Sequence, residues 1–304
     1  MRRKDLITLE DLSGKDIMRL LKTARKLKKA PHSRDHLLRN RTMALLFQKP
    51  STRTRISFEV AAVHLGGYVL YLSPGEIKMG EREPVKDVAR VVSRYVDCVV
   101  ARVYKHDDVK TLARHSDVPV INGLSDMAHP CQALSDLFTM MEKKPRLRRT
   151  TLAYVGDGNN VLNSLLLACA KTGVDIRAAT PGGYEPAEEV LEKARAEAAD
   201  TRSVVEVTND PAEAVRGADF VYTDVWTSMG QEAENEKRLN DFEGFQINEA
   251  LIRKAGSDPM IMHCLPAHRG QEVTDIIDGK NSIIYDQAEN RLHMQKAVLA
   301  HLMG

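Results

Sequence analysis

Three observations predict an α/β protein of two doubly wound parallel-sheet domains. Short apolar runs of about six residues alternate with longer helix-like stretches from residue 42 to the end of the chain. The alternation breaks once, at the basic, proline-containing stretch KKPRLRR (143–149), and then restarts. The length, 304 residues, suits two domains. The expected hinge therefore divides residues 1–143 from residues 144–287.

Each element has a local reason. Residues 14–29 carry apolar residues at helical spacing on a basic background and stop at Pro31, which reads as an amphipathic helix with a solvated face. TMALLF (42–47) reads as a buried strand, ISFEVAAVHLGG (56–67) as a helix closed by Gly66 and Gly67, and YVLYL (68–72) as a second strand. A polar Gly/Pro loop over 73–84 leads to a helix over 85–96, a strand over 98–103, a helix over 108–116 and a strand over 118–124. A helix over 131–142 ends at the hinge. Beyond it, strands are expected at 151–156, 175–180, 203–209, 219–225, 259–265 and 282–287. The intervening helices cover 160–173, 187–200, 211–218 and 247–255, and a last one covers 289–303.

The composition narrows the class. Lys plus Arg number 44 against 42 Asp plus Glu, a net charge of +2, so there is no broad basic surface for nucleic acid. The four cysteines are scattered without a CxxC pair, which fits a reducing compartment. The start, MRRKDLITLEDLSG, lacks the apolar core of a signal peptide and carries acids, and no apolar run reaches membrane-spanning length. A cytoplasmic protein with no membrane partner is expected.

Ligands of parallel sheets sit at the carboxyl ends of strands, and so do the polar clusters of this chain. In STRTR (51–55), hydroxyls and two guanidiniums meet the positive end of a helix. That arrangement suits a phosphate cradle with Arg53 as clamp, and equally a hydroxyl-capped helix with two surface arginines. In AHPCQALSD (128–136), Pro130 suits a first helical turn, leaving His129 at its mouth and Gln132 on the same face. The pair could hold a carbonyl or amide, or His129 could simply cap the helix. YVGDGNNVLNS (154–164) begins like a dinucleotide fingerprint but lacks the third glycine and a ribose-binding acid. Its Asn159 and Asn160 suit a small polar ligand better. DVWTSMGQEAENE (224–236) places Asp224 at a strand end before a strongly polar run, which fits either a lid or a surface loop without a role. MHCLPAHRG (262–270) presents Cys264 at a strand end, where it serves a cleft or is a structural cysteine. His263 and Cys264, adjacent on a strand, should point to opposite faces, so no metal site is expected there.

STRTR, HPCQ, DVWTSMG and HCLPAHRG, in this order, resemble the ornithine carbamoyltransferases over the whole chain. The first two motifs are shared with aspartate carbamoyltransferases; the last two point to ornithine. The resemblance implies that residues 1–143, joined by about 288–304 as the last helix packs back, bind carbamoyl phosphate, and that residues 144–287 bind ornithine. It implies that Ser51, Thr52, Arg53, Thr54, Lys78, Arg102, His129, Pro130, Cys131, Gln132, Cys264, Leu265 and Arg291 bind carbamoyl phosphate. Asn160, Asp224, Ser228 and Met229 would hold ornithine, and Cys264, Leu265 and Arg291 would complete the reaction centre. Arg53, Arg102, His129, Asp224 and Cys264 would carry the catalysis. Lys78 stands where ornithine enzymes often have glutamine and aspartate relatives have a lysine, in a loop that a neighbouring subunit of a homotrimer would meet. No cofactor or metal is implied. The reaction would be carbamoyl transfer to L-ornithine, giving L-citrulline and phosphate. The alternatives are a transcarbamylase for putrescine or aspartate, and a non-catalytic phosphate-binding protein.

Overall fold

The computed structural model describes residues 5–31, 33–228, 230 and 232–304. The first half runs α1 (Gly14–Lys29), β1 (Thr42–Phe47), α2 (Thr52–His64), β2 (Tyr68–Leu72), α3 (Pro74–Ile77), α4 (Val85–Val92), β3 (Cys98–Arg102), α5 (His106–His115), β4 (Val120–Leu124) and α6 (Pro130–Lys143). Then come β5 (Thr151–Val155), α7 (Asn160–Thr172), β6 (Asp175–Ala179), α8 (Glu188–Thr201), β7 (Val205–Thr208), α9 (Pro211–Val215) and β8 (Phe220–Thr223). The chain finishes with α10 (Asn235–Asp241), α11 (Glu249–Lys254), β9 (Met260–His263) and α12 (Ile284–Leu302). It forms two compact units, one of residues up to Phe138 together with Glu289–Gly304, the other of Thr139–Ala288.

The first unit holds a parallel sheet in the order β2-β1-β3-β4. Its inner strands β1 and β3 are almost wholly buried, as continuous apolar runs flanked by helices should be. The order reverses between β1 and β3, so the loops leaving these two strands diverge and open a crevice at their carboxyl ends. Phe47 is in register with Arg102, and the Gln48 N–H donates to the Arg102 carbonyl (2.8 Å). That pairing sets the 48–51 segment beside the end of β3. Lys28 donates to Asn290 Oδ1 (2.8 Å) and Lys296 to the Pro31 carbonyl (2.6 Å), fastening α12 to the end of α1 and the turn after it.

The second unit holds a parallel sheet in the order β7-β6-β5-β8-β9, reversing between β5 and β8. The 156–160 turn after β5 and Asp224 after β8 therefore meet at its switch point. One side of the sheet packs on Trp226, Phe242, Phe245, Ile247 and Val273.

The structure corrects the sequence reading in four places. Ser51 is the N-cap of α2, its hydroxyl accepting the Thr54 N–H, so the helix starts at Thr52 and residues 52–55 form its first turn. Residues 74–77 are helical inside the Gly/Pro loop, because the Glu76 carboxylate caps Ser73. Part of the polar run after Asp224 is α10, where Glu234–Arg238 (3.0 Å) and Lys237–Asp241 (3.8 Å) pair one turn apart. Of the strand expected over 282–287, residues 284–287 are instead the first turn of α12. A short β-branched run does not distinguish a strand from a buried helix start, and only Ser282 bridges to Ile261.

Gly158 shows what the GDG turn is for. A Cβ there would lie 2.3 Å from the Glu185 carbonyl carbon and 2.4 Å from the Pro186 nitrogen. The glycine admits a neighbouring backbone of the same unit, which accounts for it without a dinucleotide. Gly158→Ala is therefore expected to destabilise the protein by about 1–3 kcal/mol through overpacking. A thermal unfolding midpoint unchanged from wild type would refute that packing role.

Candidate active site

Two polar constellations stand at the two switch points, one in each unit. In the first, the Ser51 hydroxyl lies 3.0 Å from Thr54 Oγ1, and Arg291 Nη2 from α12 donates to the same oxygen at 2.8 Å. Thr54 is fully buried and Arg291 is 4% exposed. Thr52 and Arg53 lie exposed in the first turn, at the positive end of the α2 dipole. Arg102, 8% exposed at the end of β3, has its pKa depressed to about 10, first by burial and then by Arg291 and Arg53. Its Nε has no hydrogen-bond partner among the described residues. Three guanidiniums thus repel one another in a partly desolvated place.

His129 precedes α6, whose first residue is Pro130, and its carbonyl accepts the Gln132 and Ala133 N–H groups. The imidazole is buried, and burial, then Arg291, Arg102 and Lys49, push its pKa well below the ordinary histidine value. It is therefore neutral at physiological pH and able to donate one hydrogen bond without charge. Gln132 gives its Nε2 to Asp136 (2.8 Å), while its buried Oε1 has no partner among the described residues, leaving an acceptor for an amide. Burial holds the Cys131 thiol up at about 12, so it stays protonated, within reach of the Asn122 carbonyl (3.8 Å).

Two cations of the first motif region diverge from this cluster. Arg55 turns to Glu59 (2.9 Å) and lies 3.8 Å over the Tyr71 ring, as a surface arginine. Lys78 is exposed in the left-handed region (φ 36°) at the end of α3 and is not among the charges acting on Arg102 or His129. Sequence reasoning missed Lys49, which is buried over the Tyr104 ring (4.9 Å) and acts on His129. A lysine just after an apolar strand was the available signal.

The second constellation is acidic. The buried Asp224 carboxylate accepts from the Val225 N–H (2.8 Å), Asn159 Nδ2 (2.9 Å) and the Cys264 thiol (2.8 Å). Asn159 also caps α7 through its Oδ1, so Asn160 is the first helical residue and lies half-buried beside the acid's anchor. Ser228 and Leu265 are half-buried too; Met229 lies outside the described residues, as do residues 1–4 of the basic start. Ligand atoms of Asp224, His263 and Cys264 fall within 4.8 Å of one another, so the opposite-faces argument does not hold. Cys264 lies one residue beyond β9, where strand alternation has ended. Both His263 ring nitrogens are nonetheless engaged, Nδ1 by the Leu265 N–H (2.8 Å) and Nε2 with Glu272 (3.2 Å).

Sequence reasoning also missed what roots the loop after Asp224. Arg238, 6% exposed, pairs with Asp157 (3.2 Å) and Glu234 (3.0 Å), donates to the Trp226 carbonyl (2.9 Å) and stacks 4.9 Å over Tyr184. Burial raises the Asp157 pKa to about 6 against the pull of Arg238.

His129 should leave a signature in stability. The unfolded chain takes up a proton near its free pKa of about 6.5 and the folded one does not, so stability rises with pH through that region and is lost as pH falls below it. The contribution approaches about 1.4 kcal/mol per pH unit. His129→Asn is expected to flatten the pH dependence of the unfolding midpoint below about pH 6.5. Superimposable pH profiles for the two proteins would contradict a buried, neutral imidazole.

Residues 4–142 match the aspartate/ornithine carbamoyltransferase carbamoyl-P binding domain, and residues 148–302 match the Asp/Orn binding domain. The chain is 53% identical to the ornithine carbamoyltransferase of Pyrococcus abyssi, over 100% of this chain and 97% of that one. It is also 53% identical to the anabolic ornithine carbamoyltransferase of Pyrococcus furiosus, over 99% and 96%. The solved structure of ornithine carbamoyltransferase from Pyrococcus furiosus superposes with a TM-score of 0.96 over 99% of this chain and 97% of that one. By sequence over nearly its full length, and by fold, this chain belongs to the aspartate/ornithine carbamoyltransferase family.

Proposed function

We propose that the protein transfers the carbamoyl group of carbamoyl phosphate to the δ-amino group of L-ornithine, giving L-citrulline and phosphate, in the biosynthesis of arginine. The observation that carries this reading is the first constellation: mutually repelling guanidiniums around hydroxyls at a helix N-terminus, beside a neutral imidazole and an amide acceptor. That set matches a phosphate dianion joined to a carboxamide. The relatives' names supply the acceptor.

On this reading the unit ending at Phe138, with Glu289–Gly304, takes carbamoyl phosphate, and the unit Thr139–Ala288 takes ornithine. Ser51, Thr52, Arg53, Thr54, Arg102 and Arg291 hold the phosphate, with Pro130 and Cys131 shaping the wall. His129, Thr54 and Arg102 donate to the carbonyl oxygen as it gains charge, and Gln132 Oε1 accepts from the carbamoyl amide. Asn160, Asp224, Ser228 and Met229 hold ornithine. Its δ-ammonium has a free pKa near that of lysine, about 10.4, and must lose a proton before it attacks. Cationic surroundings and desolvation lower that pKa. Cys264, bonded to Asp224, orients the amine or relays its proton, and the Cys264–Leu265 turn completes the site.

The protein is proposed to work as a cytoplasmic homotrimer or a multiple of trimers. Among the described residues no helix is long and apolar enough to cross a membrane. The first unit exposes Ile56 and Val63 on α2, Tyr68 and Leu70 on the edge strand β2, and Tyr95 after α4. Tyr68 is 65% and Tyr95 77% exposed. The loop carrying Lys78 follows β2 and is the proposed approach to a neighbour's site.

The direct test offers ornithine, putrescine and aspartate side by side with carbamoyl phosphate, following the carbamoylated product. Faster turnover of putrescine or aspartate would replace the acceptor; no turnover at all would replace the reaction. Arg53→Ala is expected to weaken carbamoyl phosphate binding by about ten- to a hundredfold, as loss of a charge-assisted hydrogen bond does. Unchanged affinity by calorimetry would remove Arg53 from the pocket. Ser228→Ala should raise the KM for ornithine more than that for carbamoyl phosphate, and the opposite pattern would misplace the loop. Sedimentation should give three chain masses or a multiple of three, and a monomer would rule out the trimer.

A further inference from the structure

The inner strands of the first unit part at their carboxyl ends, and one side chain there holds three loops at once. β3 is irregular against β4 at Arg102: the register steps from Ala101 opposite Asn122 to Arg102 opposite Leu124. Such a bulge re-aims a side chain but disrupts the ladder locally. Gln48, the residue after β1, supplies the missing support. Its backbone N–H donates to the Arg102 carbonyl (2.8 Å). A continuing parallel ladder would give the Tyr104 N–H to the Gln48 carbonyl, but here Gln48 Oε1 accepts it, at 2.8 Å. One residue therefore brackets Arg102 on both sides while its own backbone turns away toward Ser51. The Tyr104 ring lies under the Lys49 ammonium (4.9 Å), so the same anchor underlies a second cation of the cluster.

The other end of the amide reaches a third loop. Gln48 Nε2 donates to the Met79 carbonyl (3.0 Å) and to Asp108 Oδ2 (3.1 Å). Met79 is buried and follows Lys78, whose carbonyl closes the turn by accepting the Glu81 and Arg82 N–H groups. A backbone N–H only donates and a carbonyl only accepts, so these partners fix which way the amide points. An ionised carboxylate in its place would serve Tyr104 but neither Met79 nor Asp108. We propose that Gln48 is a positioning residue for carbamoyl transfer: its amide ties the strand end that carries Arg102 to the loop that carries Lys78. The proposal rests on the reading above of Arg102 as a phosphate ligand and of the Lys78 loop as the approach to a neighbour's site.

Two substitutions cut this clamp in different places. Gln48→Glu keeps an acceptor for the Tyr104 N–H but sets a carboxylate against the Met79 carbonyl and Asp108, releasing the Lys78 loop alone. Gln48→Met keeps the length of the side chain and loses both halves. Hydrogen exchange, read by mass spectrometry on short overlapping peptides, is expected to run about tenfold faster at residues 80–82 in both variants. The Tyr104 amide should exchange faster only in Gln48→Met. The KM for carbamoyl phosphate is expected to rise about three- to tenfold in Gln48→Glu and further in Gln48→Met, as loss of one and then a second hydrogen bond implies. The KM for ornithine should stay within about twofold of wild type in both. A merely structural role lowers the fraction of active protein, and with it kcat, but moves neither KM. That pattern, or unchanged exchange at 80–82 in Gln48→Glu, would overturn the proposal while leaving citrulline formation by the wild type intact. A wild type that forms no citrulline would instead overturn the reaction, and the exchange pattern would still decide whether the amide joins the two loops.

Discussion

Like charges held together out of water are the constraint on which the first unit depends. Burial, then Arg291 and Arg53, lowers the proton affinity of Arg102, and burial, then Arg291, Arg102 and Lys49, holds His129 neutral. Holding cations this way costs folding energy, so the scaffold around them must be rigid. Arg102 ends a fully buried strand in register with β1, Thr54 lies in the first turn of a capped helix, and Arg291 projects from a helix fastened at Lys28 and Lys296. On the proposed reading a small dianion relieves the repulsion and leaves His129 and Gln132 to read the carbamoyl end.

The second unit uses the opposite sign. Its centre is one carboxylate, Asp224, satisfied by a backbone N–H, a carboxamide and a thiol. A carboxylate with three donors is held in place and its charge is partly spread, which suits a group that orients a cationic amine without binding it irreversibly. Around it the supports are themselves buried polar pairs: Asp157 with Arg238 under the 225–228 segment, and His263 with Glu272 under the 264–268 turn. Replacing such pairs by apolar side chains often stabilises a protein, so their presence here is better explained by the geometry they impose.

The near-neutral total charge of +2 conceals this division. Cations gather at one switch point and an acid at the other, the complements that the proposed phosphate dianion and diamino acid require. Field strength in a small-molecule enzyme is a local quantity, set by burial and not by the sum over the chain.

The α/β class, the parallel pairing and the strand-end position of every polar cluster were legible in the sequence, because strand and helix periodicities and turn residues are local properties. The sequence did not reveal that residues 284–287 begin a helix, since a short apolar run fits either form. It gave no sign that Arg291 meets Thr54 across 237 positions, that Lys49 acts on His129, or that Asp157 and Glu272 support the loops. Those facts depend on which strand ends the sheet order makes neighbours and which side chains lose water there. Burial and long-range proximity are products of packing, and only the tertiary structure decided them.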